Sequence, residues 1–178
     1  MFLSVKDMEL HEIRFDESVP PGRIDFSGEL LEQVGPLHAV GVAEVLEHSD
    51  GEVRINGRYS VEMAFQCDRC LAPAKVQVEA SFDLFYRPVS LIARAEEVEI
   101  ETSETEIGFY EGGGLELDDI LREQVLLALP MQRTCSAACK GICPVCGKNR
   151  NESACNCTVD SGADHWRALR DLGSTPRA

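Results

Sequence analysis

The residues whose type and spacing could do chemistry are eight cysteines. Two lie in Cys67-Asp68-Arg69-Cys70, and six crowd into Cys135-x3-Cys139-x3-Cys143-x2-Cys146-x8-Cys155-x-Cys157. Thiolates are soft donors that suit Zn²⁺, short loops bring such ligands to one centre, and the glycine beside Cys146 permits a tight turn. At four ligands per ion, the eight divide into two sites. The preferred division puts Cys143, Cys146, Cys155 and Cys157 in a compact tail, with Cys67, Cys70, Cys135 and Cys139 as a clasp joining that tail to the body. Exchanges among the late cysteines stay open, as does one zinc ion with the remaining thiols uncoordinated. Four thiolates close the coordination shell, whereas a catalytic zinc keeps one position for water, so structural metal is expected. His165 could replace a thiolate, but a packed or surface histidine is the favoured reading. His11, His38 and His48 show no ligand spacing with the cysteines. No Ser/His/Asp set or Gly-x-Ser-x-Gly element makes a nucleophilic enzyme specific. The alternative is a dithiol oxidoreductase with Cys67 as nucleophile and Cys70 as resolving thiol. It is disfavoured because the pair follows a β-pattern and precedes Leu71-Ala72-Pro73-Ala74, not a helix that would lower a thiolate pKa.

The elements that must position these cysteines read as α+β: a mostly antiparallel sheet packed with one or two helices, plus a cysteine-rich, metal-stabilised module. Met8 to Phe15 alternates like a strand and ends at the Pro20-Pro21-Gly22 break. A hairpin is expected from Val42–Leu46 to Val53–Phe65 across Ser49-Asp50-Gly51, with a return strand near Ala74 to Leu84. Cys67 and Cys70 then fall on the turn between two extended segments. Residues 87 to 114 read as a polar connection with short strands near Val98 and Ile107, and Gly112-Gly113-Gly114 as a flexible link that lacks the spacing of a phosphate or dinucleotide loop. Asp118 or Asp119 is expected to cap a helix with an apolar stripe of Ile120, Leu121, Val125, Leu126 and Leu129, stopped by Pro130. A terminal helix is expected from Ser161, with Trp166, Leu169 and Leu172 facing the body and Gly173 at its end. The organisation is a body over 1–130, a cysteine-rich zinc module over 131–159 and a terminal helix over 160–178.

Lys and Arg number 17 against 31 Asp and Glu, a net charge of −14, which disfavours a surface that coats nucleic acid throughout. Between 96 and 121 there are ten carboxylates and no cation, read as a solvated face. Between 131 and 150 there are Arg133, Lys140, Lys148 and Arg150 with no carboxylate. Together with Arg167 and Arg170 these are the candidate contacts to phosphate or an acidic partner, against a bland reading as solubilising charge. Lys6, Asp7 and Glu9 interrupt the opening apolar run, so no secretory leader is expected, and Val125 to Pro130 is far short of the roughly 20 residues that cross a bilayer. A cytoplasmic protein without a membrane partner is the expectation, in a reducing compartment where clustered thiols bind metal in preference to forming disulfides.

Cys67-Asp68-Arg69-Cys70-Leu71, Leu127-Ala128-Leu129-Pro130, the run from Cys135 through Gly147 and the terminal Trp166-x2-Leu169-x2-Leu172 together resemble the YceD family over most of the chain. The resemblance implies a factor for accumulation of 23S ribosomal RNA and large-subunit assembly, with no catalytic reaction. The implied partner is that RNA or an assembly intermediate, reached directly or through ribosomal proteins. Where many members carry Asn-Leu-Asn, this chain has Lys148-Asn149-Arg150-Asn151, and Asp164-His165-Trp166-Arg167 lacks the family's proline, so fine contacts are not carried over at either place.

Overall fold

A computed structural model describes residues 1–91 and 107–158. The expected strand near Val98, most of the acidic run and the terminal helix, with His165, Arg167 and Arg170, lie outside the described residues. The chain forms two compact units, one from Met1–Asp68 with Ala72–Cys135 and the other from Arg69–Leu71 with Ser136–Ala178.

The first unit is a mixed sheet with few helices. Its strands are β1 (Phe2–Ser4), β2 (Ile13–Val19), β3 (Leu31–Gln33), β4 (Leu37–Val45), β5 (Val53–Gln66), β6 (Pro73–Pro88), β7 (Ile107–Tyr110) and β8 (Gly114–Glu116). Its α-helices among the described residues are the single turn α1 (Val5–Met8) and α2 (Leu117–Ala128). The main sheet runs β2-β4-β5-β6-β7, with β3 also paired to β5, and β1 and β8 form a separate ribbon. Among the described residues, all pairs are antiparallel except β6 with β7.

Alternation decides which face of β5 and β6 is covered. Val53, Ile55, Tyr59, Val61, Met63 and Phe65 are buried on one face. In register they face Tyr86, Leu84, Ala80, Val78, Val76 and Ala74. The other face carries charge: Arg54 donates from Nε and Nη2 to the two carboxylate oxygens of Asp83, each at 2.8 Å, and Lys75 pairs with Glu62 at 3.1 Å. The bidentate bond to Arg54 holds the Asp83 carboxyl below its ordinary range.

One row crosses four strands as Phe15, Gly41, Gly57 and Phe82. The two rings fill the space the glycines leave: a Cβ on Gly41 would run into the Phe15 ring and the Asn56 carbonyl, and one on Gly57 would lie 2.7 Å from the Val40 carbonyl and 3.0 Å from the Phe82 ring. Glycine is required here by close approach.

Helix α2 buries Leu117, Ile120, Leu121 and Val125 in the core and leaves Leu127 71% exposed. The Tyr59 hydroxyl donates to the Gln124 carbonyl at 2.6 Å and ties the helix to the sheet.

Several sequence expectations change. Met8 belongs to α1, and the first long strand begins at Ile13. Strand β4 starts at Leu37, earlier than the pattern around Val42 suggests. Neither Asp118 nor Asp119 is the cap, because β8 runs straight into α2 and the cap position falls on Glu116. The Leu117 N–H is satisfied by the Met1 carbonyl, and Asp118 accepts two bonds from Arg23, at 2.7 and 3.1 Å. The glycine run is not a plain flexible link either: Gly114 pairs with Ser4, and a Cβ there would meet the Leu3 carbonyl.

The second unit, as far as it is described, has a hairpin bridged at Ile142 and Asn149 and no longer strand or helix. Its buried side chains among the described residues are those of Cys70, Cys139 and Cys143.

Overpacking costs of about 1–3 kcal/mol set the expectation that Gly57→Val lowers the unfolding free energy by about 3 kcal/mol. Leu121→Ala is expected to cost about 3 kcal/mol, and Leu127→Ala, on the exposed face of the same helix, less than about 0.5 kcal/mol. Urea denaturation checks all three.

Candidate metal centres

The hairpin of the second unit is shaped by two left-handed glycines. Gly141 has φ +69° and its Cβ position lies 3.0 Å from the Arg69 carbonyl; Gly147 has φ +71° and donates its N–H to the Cys143 carbonyl at 2.8 Å. Across the hairpin, the Cys143 N–H bonds to the Lys148 carbonyl at 2.8 Å, and the Arg150 N–H to the Gly141 carbonyl at 2.9 Å. This tight loop places Cys143 and Cys146 together, and the chain returns with Cys155 and Cys157. The four sulfurs all lie within 4.8 Å of one another. A tetrahedral ion with bonds of about 2.3 Å needs sulfurs about 3.8 Å apart, so little movement is required to close the shell.

The titration of these thiols shows what the grouping costs without a cation. Backbone N–H groups of Cys146 and Val145 aimed at the Cys143 sulfur hold that thiol down at about 6. The Cys157 thiol is pushed up to about 12, chiefly because it donates to the Cys146 sulfur, and Cys155 is raised chiefly by its bond to Cys143. Sulfurs this close share protons because their negative charges repel. A divalent cation replaces those protons and removes the conflict, so the donor set fits a thiophilic metal.

The sulfurs of Cys67, Cys70, Cys135 and Cys139 likewise lie within 4.8 Å of one another. In the first unit, Cys67 follows the last residue of β5 and is fully buried, and its sulfur accepts the Cys135 N–H at 3.3 Å. Asp68 brackets the same region: its N–H bonds to the Arg133 carbonyl at 2.8 Å and its carboxylate accepts the Arg133 N–H at 2.6 Å. In the second unit, Arg69 donates to the Cys139 carbonyl at 3.3 Å, and the Asn151 amide donates to the Cys139 sulfur at 3.3 Å. None of the eight cysteines is in a disulfide. The grouping is the division favoured by the spacing, without exchange among the late cysteines.

Of the cations singled out in the sequence, Lys140, Lys148 and Arg150 are exposed in the second unit, whereas the Arg133 guanidinium lies 4.0 Å from Asp68. Sequence reasoning missed Asp68, Arg69, Asn149 and Asn151 as supporting residues. Asp68 and Arg69 have partners 65 and 70 residues away and signal themselves only by lying inside a cysteine pair; Asn149 and Asn151 had one further signal, the asparagines they share with the family's Asn-Leu-Asn stretch.

A mixed α+β protein with two four-thiol sets that could coordinate metal is therefore the class that fold and site define. Within that class, the chain belongs to the YceD family: the model described as large ribosomal RNA subunit accumulation protein YceD matches residues 55–173, about two thirds of the chain. Similar proteins include an uncharacterized protein of Mycobacterium bovis and one from each of two strains of Mycobacterium tuberculosis. Each is 29% identical over 96 residues, covering 53% of this chain and 44% of the relative. The matched stretch thus spans less than half the length of those curated relatives. No solved structure matches.

Metal uptake at neutral pH should release at least two protons from the second-unit set, those of Cys155 and Cys157, while Cys143 is already largely thiolate above pH 6. Each displaced proton adds a factor of ten per pH unit, so affinity should fall on the order of a hundredfold for each unit of acidification near neutrality. Titration of metal into weakly buffered, metal-free protein reads the proton release, and chelator competition at two pH values reads the slope.

Proposed function

We propose that this protein is a non-enzymatic accessory factor that supports 23S ribosomal RNA accumulation and large-subunit assembly, with structural zinc in its cysteine sets. The family match carries this reading. Zinc is favoured over other soft cations because four thiolates in a tetrahedral set are its common structural shell and need no redox partner. Burial of Cys67 and Cys70, and the strand β6 that follows them, support ligation over a dithiol exchange that needs an accessible, helix-activated sulfur.

The working surface for RNA or an assembly intermediate is the exposed set Lys140, Lys148 and Arg150, with Arg167 and Arg170 as further sequence candidates outside the described residues. Asp68 already engages Arg133, which makes it a weaker candidate. A few cations on a chain of charge −14 suit local contact with phosphate, or docking through basic ribosomal proteins. The setting is cytoplasmic and no membrane partner is invoked; among the described residues no helix is long and apolar enough to cross a bilayer.

Purified without chelator, the protein should carry close to two equivalents of zinc, one for each cysteine set. Cys143→Ser or Cys146→Ser should release one of them; elemental analysis finding no zinc in the unmutated protein overturns the metal assignment. Crosslinking in cells should recover large-subunit RNA or its assembly factors. Charge removal at Lys140, Lys148 and Arg150 should weaken that recovery while zinc content stays unchanged. Recovery of neither class of partner at mild salt overturns the functional reading.

A further inference from the structure

Asn151 is not a metal ligand, yet both ends of its side-chain amide are engaged. Its Oδ1 accepts the Lys140 backbone N–H at 2.8 Å, and its Nδ2 donates to Asn149 Oδ1 at 3.0 Å and to the Cys139 sulfur at 3.3 Å. The orientation of the amide follows from chemistry: the Lys140 N–H can only donate, so the oxygen must face it and the NH₂ group must face the sulfur. Asn149 holds this arrangement from below. Its Oδ1 also accepts the Asn151 backbone N–H at 3.0 Å, its Nδ2 donates to Glu152 at 2.8 Å, and its backbone bridges to Ile142 beside Cys143.

Asn149 and Asn151 lie on the return arm of the hairpin, between Cys146 and the Cys155/Cys157 pair. The stretch that brings two ligands to one cysteine set therefore also delivers an N–H···S hydrogen bond to a sulfur of the other. A donor to a metal-bound thiolate withdraws charge from the sulfur and fixes its direction, and losing such an outer contact typically weakens metal affinity by about 10–100-fold.

We propose that Asn151 is a positioning residue that couples the two cysteine sets: closure of Cys143, Cys146, Cys155 and Cys157 around an ion orders the arm that aims the Asn151 amide at the Cys139 thiolate. This rests on the reading that both sets hold metal. Loading of the first-named set then raises the affinity of the set containing Cys139, and chelation of one ion loosens the other.

A double-mutant cycle on the full chain tests it, with Co²⁺ as the probe, its affinity read by chelator competition and its thiolate-to-cobalt charge-transfer band by absorption. Replacing Cys155 and Cys157 by serine should lower Co²⁺ affinity at the Cys139 set roughly tenfold, while Asn151→Leu alone should lower it roughly 10–100-fold and shift the charge-transfer band. Combining the changes should add little to Asn151→Leu. Asn151→Asp keeps the acceptor for Lys140 and lacks the donor, so it should reproduce the loss at the Cys139 set even if the leucine variant fails to fold its tail. The proposal is overturned if both Asn151 variants keep the original affinity and band, if the two losses multiply independently, or if the Asp variant empties both sets, which would make the residue a general folding element. Failure of the unmutated chain to take up any cobalt or zinc would instead remove the metal reading beneath it.

Discussion

A segment whose buried side chains are all cysteines has no apolar core to oppose the entropy of its own ordering, and the second unit is in that position among its described residues. Burial of apolar area cannot supply the missing stabilisation, because its exposed groups include Ile142 and Val145 and its buried ones are sulfurs. What holds such a segment is a bond network centred on the thiols, and crowded thiols repel when ionised. The left-handed glycines, the N–H groups aimed at Cys143 and the Asn149–Asn151 arrangement are intelligible as preparation for a cation. They set sulfur positions first and leave the charge to be neutralised by metal.

The first unit does not share this dependence. Its sheet buries one face of β5 and β6 along their length, glycines at the centre of the row admit two phenylalanine rings, and α2 covers the core with Leu117, Ile120, Leu121 and Val125. At the end of β5, where the chain turns toward β6, Cys67 is fully buried. Asp68 bonds to the backbone of Arg133 in both directions, and the Cys135 N–H reaches the Cys67 sulfur.

Charge divides the molecule in a related way. The −14 balance is spread over a chain whose described second-unit surface is locally basic, through Lys140, Lys148 and Arg150. Two dications would not make that surface strongly positive, because eight thiolates carry more charge than they do. A phosphate-facing role therefore relies on a few placed cations, and a protein intermediary with basic character is compatible with the rest of the surface.

The cysteine inventory, the suitability of sulfur for soft metal, the inward alternation of β5 and β6 and the apolar stripe of α2 were all legible in the sequence, since each depends on residue type and short period. The β1–β8 ribbon, the pairing of β3, the close approach at Gly114 and the shift of the helix cap to Glu116 were not, because each needs a partner far along the chain. Asn151 shows the same limit. Residue type and spacing in Lys148-Asn149-Arg150-Asn151 do not by themselves distinguish a solvated asparagine from one that donates to a sulfur twelve residues away. Sequence alone determined which atoms could ligate a metal; only the tertiary structure decided which four stand together and what orients them, because hydrogen bonds and sulfur–sulfur distances are properties of chain segments brought together by folding.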